Sequence, residues 1–157
     1  SVAMLIVIST LALDFIHSDR SIFKIVDLDE AWAFLNVAQG ETLSNKLVRA
    51  GRAMNAGVYF VTQSSGDVSK ESLKNNIGLK FAFRSTDTNE IKQTLEFFGL
   101  DSEDENNQKR LRDLENGQCL MQDLYGRVGV VQIHPVFVEL LHAFDTRPPI
   151  KSEVDLE

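Results

Sequence analysis

The sequence predicts an α/β layer fold with a mostly parallel sheet and an antiparallel hairpin at its edge. Three observations predict it. Short apolar runs rich in Val, Ile and Phe alternate with segments of helical periodicity, the pattern of strand and crossover helix. The last two runs instead follow each other across Tyr125-Gly126, which reads as a two-residue hairpin turn. The chain has 157 residues, a length that suits one domain and buries roughly 70% of the unfolded surface.

The elements follow in order. Val2 to His17 is apolar almost throughout and reads as a mostly buried helix. Ser18 to Ser21 is a polar turn, and Ile22 to Leu28 is a short apolar run that suits a buried strand. Ala31 to Val37 reads as helical, with Trp32 packing against the sheet. Thr42 to Asn55 is the clearest amphipathic helix: Leu43, Leu47, Ala50 and Met54 make one apolar stripe, opposite Asn45, Arg49 and Arg52. Gly51 weakens this helix without forbidding it. Gly57 ends the turn before a second buried strand, Val58 to Thr62. Ser64 to Asp67 is a loop, and Ser69 to Asn76 reads as a helix.

Leu79 to Phe83 alternates as a strand. Thr86 or Asp87 then caps a helix that runs to Phe98. Glu90 stands in capping-box position to Asp87, and Gly99 closes the helix. Asp101 to Glu105 is an acidic loop or helix start, and Gln108 to Leu114 continues as helix until Asn116-Gly117. Gln118 to Leu124 and Arg127 to Ile133 form the hairpin. Val136 to Phe144 is a last helix after Pro135. Parallel strands are expected to be joined by right-handed crossovers. Residues 1–147 form the domain and residues 148–157 a polar tail.

Composition excludes several classes. Ten Phe and many β-branched residues exclude a disordered chain. Cys119 is the only cysteine, which excludes a disulfide scaffold and multi-cysteine zinc sites. The net charge of −7 argues against a general nucleic-acid grip, which needs a basic face. No stretch reaches the ~18 apolar residues of a membrane span. His17, His134 and His142 lack ligand spacing with one another or with Cys119. No nucleophile elbow or dinucleotide fingerprint occurs. The Phe97-Phe98 pair reads as core.

The strongest chemical signal lies in Phe23 to Trp32, where an apolar strand delivers Asp29 and Glu30 side by side at its C-terminal end. In open α/β sheets ligands bind at that end. The pattern fits a Walker-B site, in which Asp29 holds Mg²⁺ through its water shell and Glu30 is the base toward the attacking water. Asp27, earlier on the strand, is a weaker metal candidate. Strand followed by acidic turn also occurs in α/β proteins without such a site, so this segment alone leaves both readings open. Gln63 at the tip of the next strand is placed to hydrogen-bond the water and the γ-phosphate; by itself it equally fits a solvated loop residue. Between Thr42 and Gly66 stand Lys46, Arg49 and Arg52 and no acidic residue. That patch fits an arginine reaching a nucleotide on a neighbouring subunit, or an ordinary solvated helix face.

Taken together, IVDLDEAW and the later LVRAGRAMNAGVYFVTQ resemble the C-terminal part of the conjugation and type IV secretion ATPases, members of the RecA-like hexameric translocase clade. Phe83-Arg84 with Asp87 and Glu90, then Leu114 to Gly117, then Asp123 with Gly126-Arg127, resemble that family's later segments. The resemblance covers roughly Val2 to Pro149. It implies a RecA-like P-loop NTPase core in which Asp29 and Glu30 are the Walker-B pair and Gln63 the sensor glutamine. It also implies Arg52, or alternatively Arg49, as a trans-acting arginine. ATP and Mg²⁺ are the implied ligands. The implied partners are further copies in a hexamer or smaller assembly, secretion-channel proteins, and a DNA or DNA–protein transfer substrate. The implied place is the cytoplasmic face of a bacterial membrane.

One departure stands out. No G-x-x-x-x-G-K-[ST] motif occurs in the chain, although the family needs one to cradle the phosphates. The chain is therefore expected to be the Walker-B half of a longer ATPase, inactive alone. A DNA-pumping coupling protein or chromosome translocase, and a non-catalytic docking module, are the alternatives.

Overall fold

The computed structural model describes residues 2–31, 35, 38–68 and 74–143. The expected helices over 31–37 and 69–76, the packing of Trp32, Phe144 and the tail fall wholly or mostly outside these residues. The elements run α1 (Val2–His17), β1 (Lys24–Leu28), α2 (Ala38–Ala53), β2 (Ala56–Phe60), a 3-10 turn (Ser65–Val68), β3 (Lys80–Ala82), α3 (Thr88–Phe98), α4 (Glu105–Arg112), β4 (Gln118–Gln122), β5 (Val128–Gln132) and α5 (Val138–Ala143). The expected mixed α/β fold is present. β1 and β2 pair in parallel, joined through α2. β3, β4 and β5 form a separate antiparallel sheet in that order. β3 thus joins the hairpin by pairing with β4 rather than extending the parallel pair.

One apolar cluster ties these layers together. It takes Ile16 from α1, Leu43 and Leu47 from α2, Ile91, Leu95, Phe97 and Phe98 from α3, Leu111 from α4 and Leu120 from β4. The stripe on α2 behaves as its spacing requires, with Leu43 and Leu47 buried and Ala50 and Met54 packed against the cluster. Phe97 and Phe98 meet edge to face at 6.1 Å inside it, as core residues. Gly51 lets α2 approach β2, because a Cβ there would lie 2.8 Å from the Ala56 carbonyl oxygen.

The third helix shows how sequence sets its own ends. Asp87 is extended at the N-cap and accepts the Glu90 N–H, while Gly99 adopts φ 75° and closes the helix. The Leu100 N–H returns to the Leu95 carbonyl at 2.9 Å, completing a Schellman-type end. Asp104 caps α4 by accepting the Asn106 N–H, and Glu103 pairs with Lys92 at 2.7 Å. The acidic 101–105 segment is therefore a helix entry with a surface ion pair.

Several expectations are corrected. β2 starts two residues early, at Ala56 opposite Lys24. Asn55 with φ 54° makes the turn, so Gly57 is free to lie within the strand; Asn tolerates this left-handed region. The hairpin has no two-residue turn. Asp123 N–H bonds the Arg127 carbonyl and Gly126 N–H the Asp123 carbonyl, each at 3.0 Å. Gly126 takes φ 79°, giving a three-residue loop with a glycine bulge. Burial works against ionisation of Asp123, but the backbone and side chain of Arg127 and the Tyr125 N–H outweigh it and hold the carboxyl below its ordinary value.

α1 is only partly buried: Ile16 is covered, while Val7, Ile8, Leu11 and Phe15 are exposed. Among the described residues no helix is long and apolar enough to cross a membrane. β1 and β2 bury one face and expose Ile25, Asp27 and Tyr59 on the other. β3 turns Phe81 outward and Lys80 inward. The Lys80 Nζ donates to the Phe97 carbonyl at 2.8 Å and lies over the Phe97 ring. The cation thus meets the negative end of α3 while its stem is buried, and burial lowers the Lys80 pKa.

Candidate functional site

The site grows from the C-terminal ends of the parallel pair. Register aligns Leu28 with Phe60, so both chains leave the sheet at the same level. The ladder then continues past the strands. Val61 N–H donates to the Leu28 carbonyl at 3.0 Å, and Ala31 N–H donates to the Val61 carbonyl at 2.8 Å. These two bonds bring the residues after β1 against those after β2.

Asp29 and Glu30 are both exposed in that turn. The Asp29 Oδ1 accepts the Glu30 N–H at 2.9 Å. Glu30 has φ 51°, a left-handed conformation that is uncommon for a residue with a side chain. Non-glycine residues held there concentrate at functional sites, where surrounding structure over-determines them. Gln63 completes the cluster: its Nε2 donates to Glu30 Oε1 at 2.8 Å. An ionised carboxylate only accepts, so this contact fixes which end of the amide faces Glu30. The expected trio of Asp29, Glu30 and Gln63 is therefore brought together.

Asp27 lies on the exposed face of β1, across from Tyr59, earlier in the strand than the turn that carries Asp29 and Glu30. Arg49 is exposed on α2. Arg52 lies on the same helix, and its side chain is outside the described residues. Among the described residues no group of three or more His, Cys, Asp and Glu is placed to hold a metal. His17 Nδ1 lies 2.7 Å from the Leu13 carbonyl, a local partner at the end of α1. The donor set at Asp29 suits Mg²⁺, which is typically held by one or two carboxylates with water and phosphate oxygens.

The loop after Gln63 holds a group that the sequence pattern did not single out for the site. Glu90, in the first turn of α3, accepts the Ser64 hydroxyl on Oε2 at 2.8 Å and the Ser65 N–H on Oε1 at 2.7 Å. Thr94 Oγ1 adds contacts to Ser65 Oγ at 3.1 Å and to Glu90 Oε1 at 3.4 Å. In the sequence Glu90 stands out by its capping-box position and as part of the resemblance over Phe83 to Glu90, neither of which ties it to the loop after Gln63.

Comparison with known proteins agrees with this architecture. The family model described as an AAA-like domain matches residues 1–144. The uncharacterised protein YddE of Bacillus subtilis (strain 168) is 34% identical over 119 residues, covering 76% of this chain and 14% of YddE. The chain thus spans about one seventh of that relative's length. Among solved structures, the genome packaging NTPase B204 from Sulfolobus turreted icosahedral virus 2, in complex with ATP-gammaS, aligns with a TM-score of 0.55. It is 15% identical, and the match covers 71% of this chain and 52% of B204. At that identity the likeness shows the fold alone, the mixed α/β core of that NTPase.

Proposed function

The chain belongs to the AAA-like domain family, and from that premise we propose that it supplies the Walker-B half of an ATPase motor. The observation that carries the reading is the Gln63–Glu30 contact at 2.8 Å, made at the C-terminal edge of the parallel pair by a Glu with φ 51°. Glu30 accepts the proton of the attacking water. Gln63 holds the Glu30 carboxylate in one orientation, so the base is aimed before water arrives. Asp29 would be the residue that holds Mg²⁺. When bound there, the ion would supply positive charge against the phosphate oxygens. The phosphates themselves are gripped by residues outside this chain, because the 157 residues contain no phosphate-cradling glycine loop.

Arg52 or Arg49 on α2 reaches the nucleotide of a neighbouring copy and stabilises charge as the γ-phosphate leaves. This role requires an assembly of further copies, and a hexamer is the form we propose. The wider role is that of a conjugation or type IV secretion ATPase, peripheral at the inner face of the membrane, acting with channel proteins on a DNA or protein cargo. The sequence resemblance from Val2 to Pro149 supports it. The test is ATP hydrolysis by the full-length protein that carries this chain, wild type against Glu30→Gln. Loss of turnover is expected in the variant, and equal turnover would remove Glu30 as the base. A strong, salt-dependent affinity of the full-length protein for DNA would instead favour a DNA-pumping motor.

A further inference from the structure

We propose that Glu90 is a positioning residue for Gln63 and through it for Glu30, an inference that rests on the ATPase reading above. Gln63 is exposed at a strand tip, so its backbone must be anchored on both sides to hold the 2.8 Å contact with Glu30. On the N-terminal side the anchor is the extended ladder at Val61. On the C-terminal side it is Glu90. The carboxylate accepts from Ser64 and from Ser65, the two residues that follow Gln63.

Glu90 is itself held. Its own N–H donates to Asp87 Oδ1 at 2.8 Å, which fixes the first turn of α3. In a capping box the Glu side chain returns to the N–H of its own N-cap. Here both carboxylate oxygens are engaged with the loop, 25 and 26 residues earlier in the chain. A carboxylate at a helix N-terminus is also stabilised by the helix dipole, so the grip costs α3 little. Two further contacts seat the loop. The Gly66 N–H donates to Ser64 Oγ at 3.3 Å. A Cβ on Gly66 would lie 2.9 Å from the Gln93 side-chain oxygen, which measures how closely the loop lies on α3. α3 in turn enters the core through Ile91 and Leu95. The geometry therefore links the sensor tip to the rigid part of the molecule chiefly through the Glu90 carboxylate, which takes two of the loop's bonds, with the Thr94 hydroxyl adding a third at Ser65.

The experiment uses the full-length protein with Glu90→Ala, Glu90→Gln, Ser64→Ala, Gln63→Ala and the double variant Gln63→Ala/Glu90→Ala. Glu90→Ala is expected to lower kcat by about 10–100-fold, the usual effect of losing a group that orients another. Its KM for ATP should stay near the wild-type value. Glu90→Gln should recover much of the loss, since its amide oxygen still accepts the Ser65 N–H and its amide N–H can donate to Ser64 Oγ. The double variant should turn over no more slowly than Gln63→Ala alone, because Glu90 acts through Gln63. Ser64→Ala removes one of the two grips without touching α3. It should show a smaller loss of the same kind, also absent in the Gln63→Ala background, and it decides the matter if Glu90→Ala does not fold.

Losses that multiply in the double variant, or a wild-type kcat in both Glu90→Ala and Ser64→Ala, would overturn the proposal. If Gln63→Ala and Glu30→Gln also keep wild-type turnover, or the wild type hydrolyses no ATP, the ATPase reading falls and the role of Glu90 with it. If those two lose turnover while the Glu90 and Ser64 variants keep it, the role of Glu90 alone is refuted.

Discussion

Replacing Glu30 by Gly and by Ala separates the strain at this position from the chemistry. Glu30 sits at φ 51°. For a residue with a Cβ, the left-handed region costs about 1–2 kcal/mol. Glycine removes that cost, but its unfolded chain has roughly 0.5–1 kcal/mol more conformational freedom to lose on folding. Alanine keeps the strain and lacks the extra freedom. Both variants lose the Gln63 bond and the carboxylate, so those losses cancel between them. The Gly variant should therefore be more stable than the Ala variant by up to about 1.5 kcal/mol.

At an unstrained position the order would be reversed by a similar amount. For a domain of this size about 1 kcal/mol moves Tm by roughly 2–4 °C, so the Gly variant should melt above the Ala variant, by up to about 6 °C. The assay is differential scanning calorimetry of the two full-length variants without nucleotide. An Ala variant that melts higher would refute the claim that Glu30 is held under strain.

Two further outcomes test the packing around the site. Gly51→Ala should gain about 1 kcal/mol of helix propensity but force a Cβ to 2.8 Å from the Ala56 carbonyl. Overpacking of this kind costs about 1–3 kcal/mol, so the net effect is a lower Tm, and a higher one in thermal unfolding would contradict the close approach of α2 to β2. Cys119 is 0% exposed and burial raises its thiol pKa, so iodoacetamide should label it only as the protein unfolds. Peptide mapping after labelling with and without urea reads this directly, and rapid labelling of the native protein would contradict the burial of β4.

Much of the site was legible because it is built from local rules. Strand followed by acidic turn put Asp29 and Glu30 at a strand end, and a second strand put Gln63 at the next tip. The caps of α3 were legible for the same reason: Asp87 and Gly99 act within one turn of the helix. What the pattern missed depends on partners distant in sequence. Lys80 faces inward because the carbonyl end of α3 and the Phe97 ring receive it, and the alternation in Leu79 to Phe83 does not by itself reveal which face is buried.

Asn55 took the turn that Gly57 was expected to make, and this moved β2 by two residues without changing which strand pairs with which. The tie from Glu90 to Ser64 and Ser65 spans the gap between two elements, and no periodicity encodes it. The strain at Glu30 was likewise hidden, since no glycine or asparagine marks the position.

The most direct test of the account is single-turnover ATP hydrolysis by the full-length protein, wild type against Glu30→Gln, at the same Mg²⁺ concentration and with ATP binding measured in parallel. A positioned general base contributes about 10²–10⁴-fold. Glu30→Gln should lose turnover of that order with ATP affinity close to wild type. Near-normal hydrolysis in Glu30→Gln would contradict it.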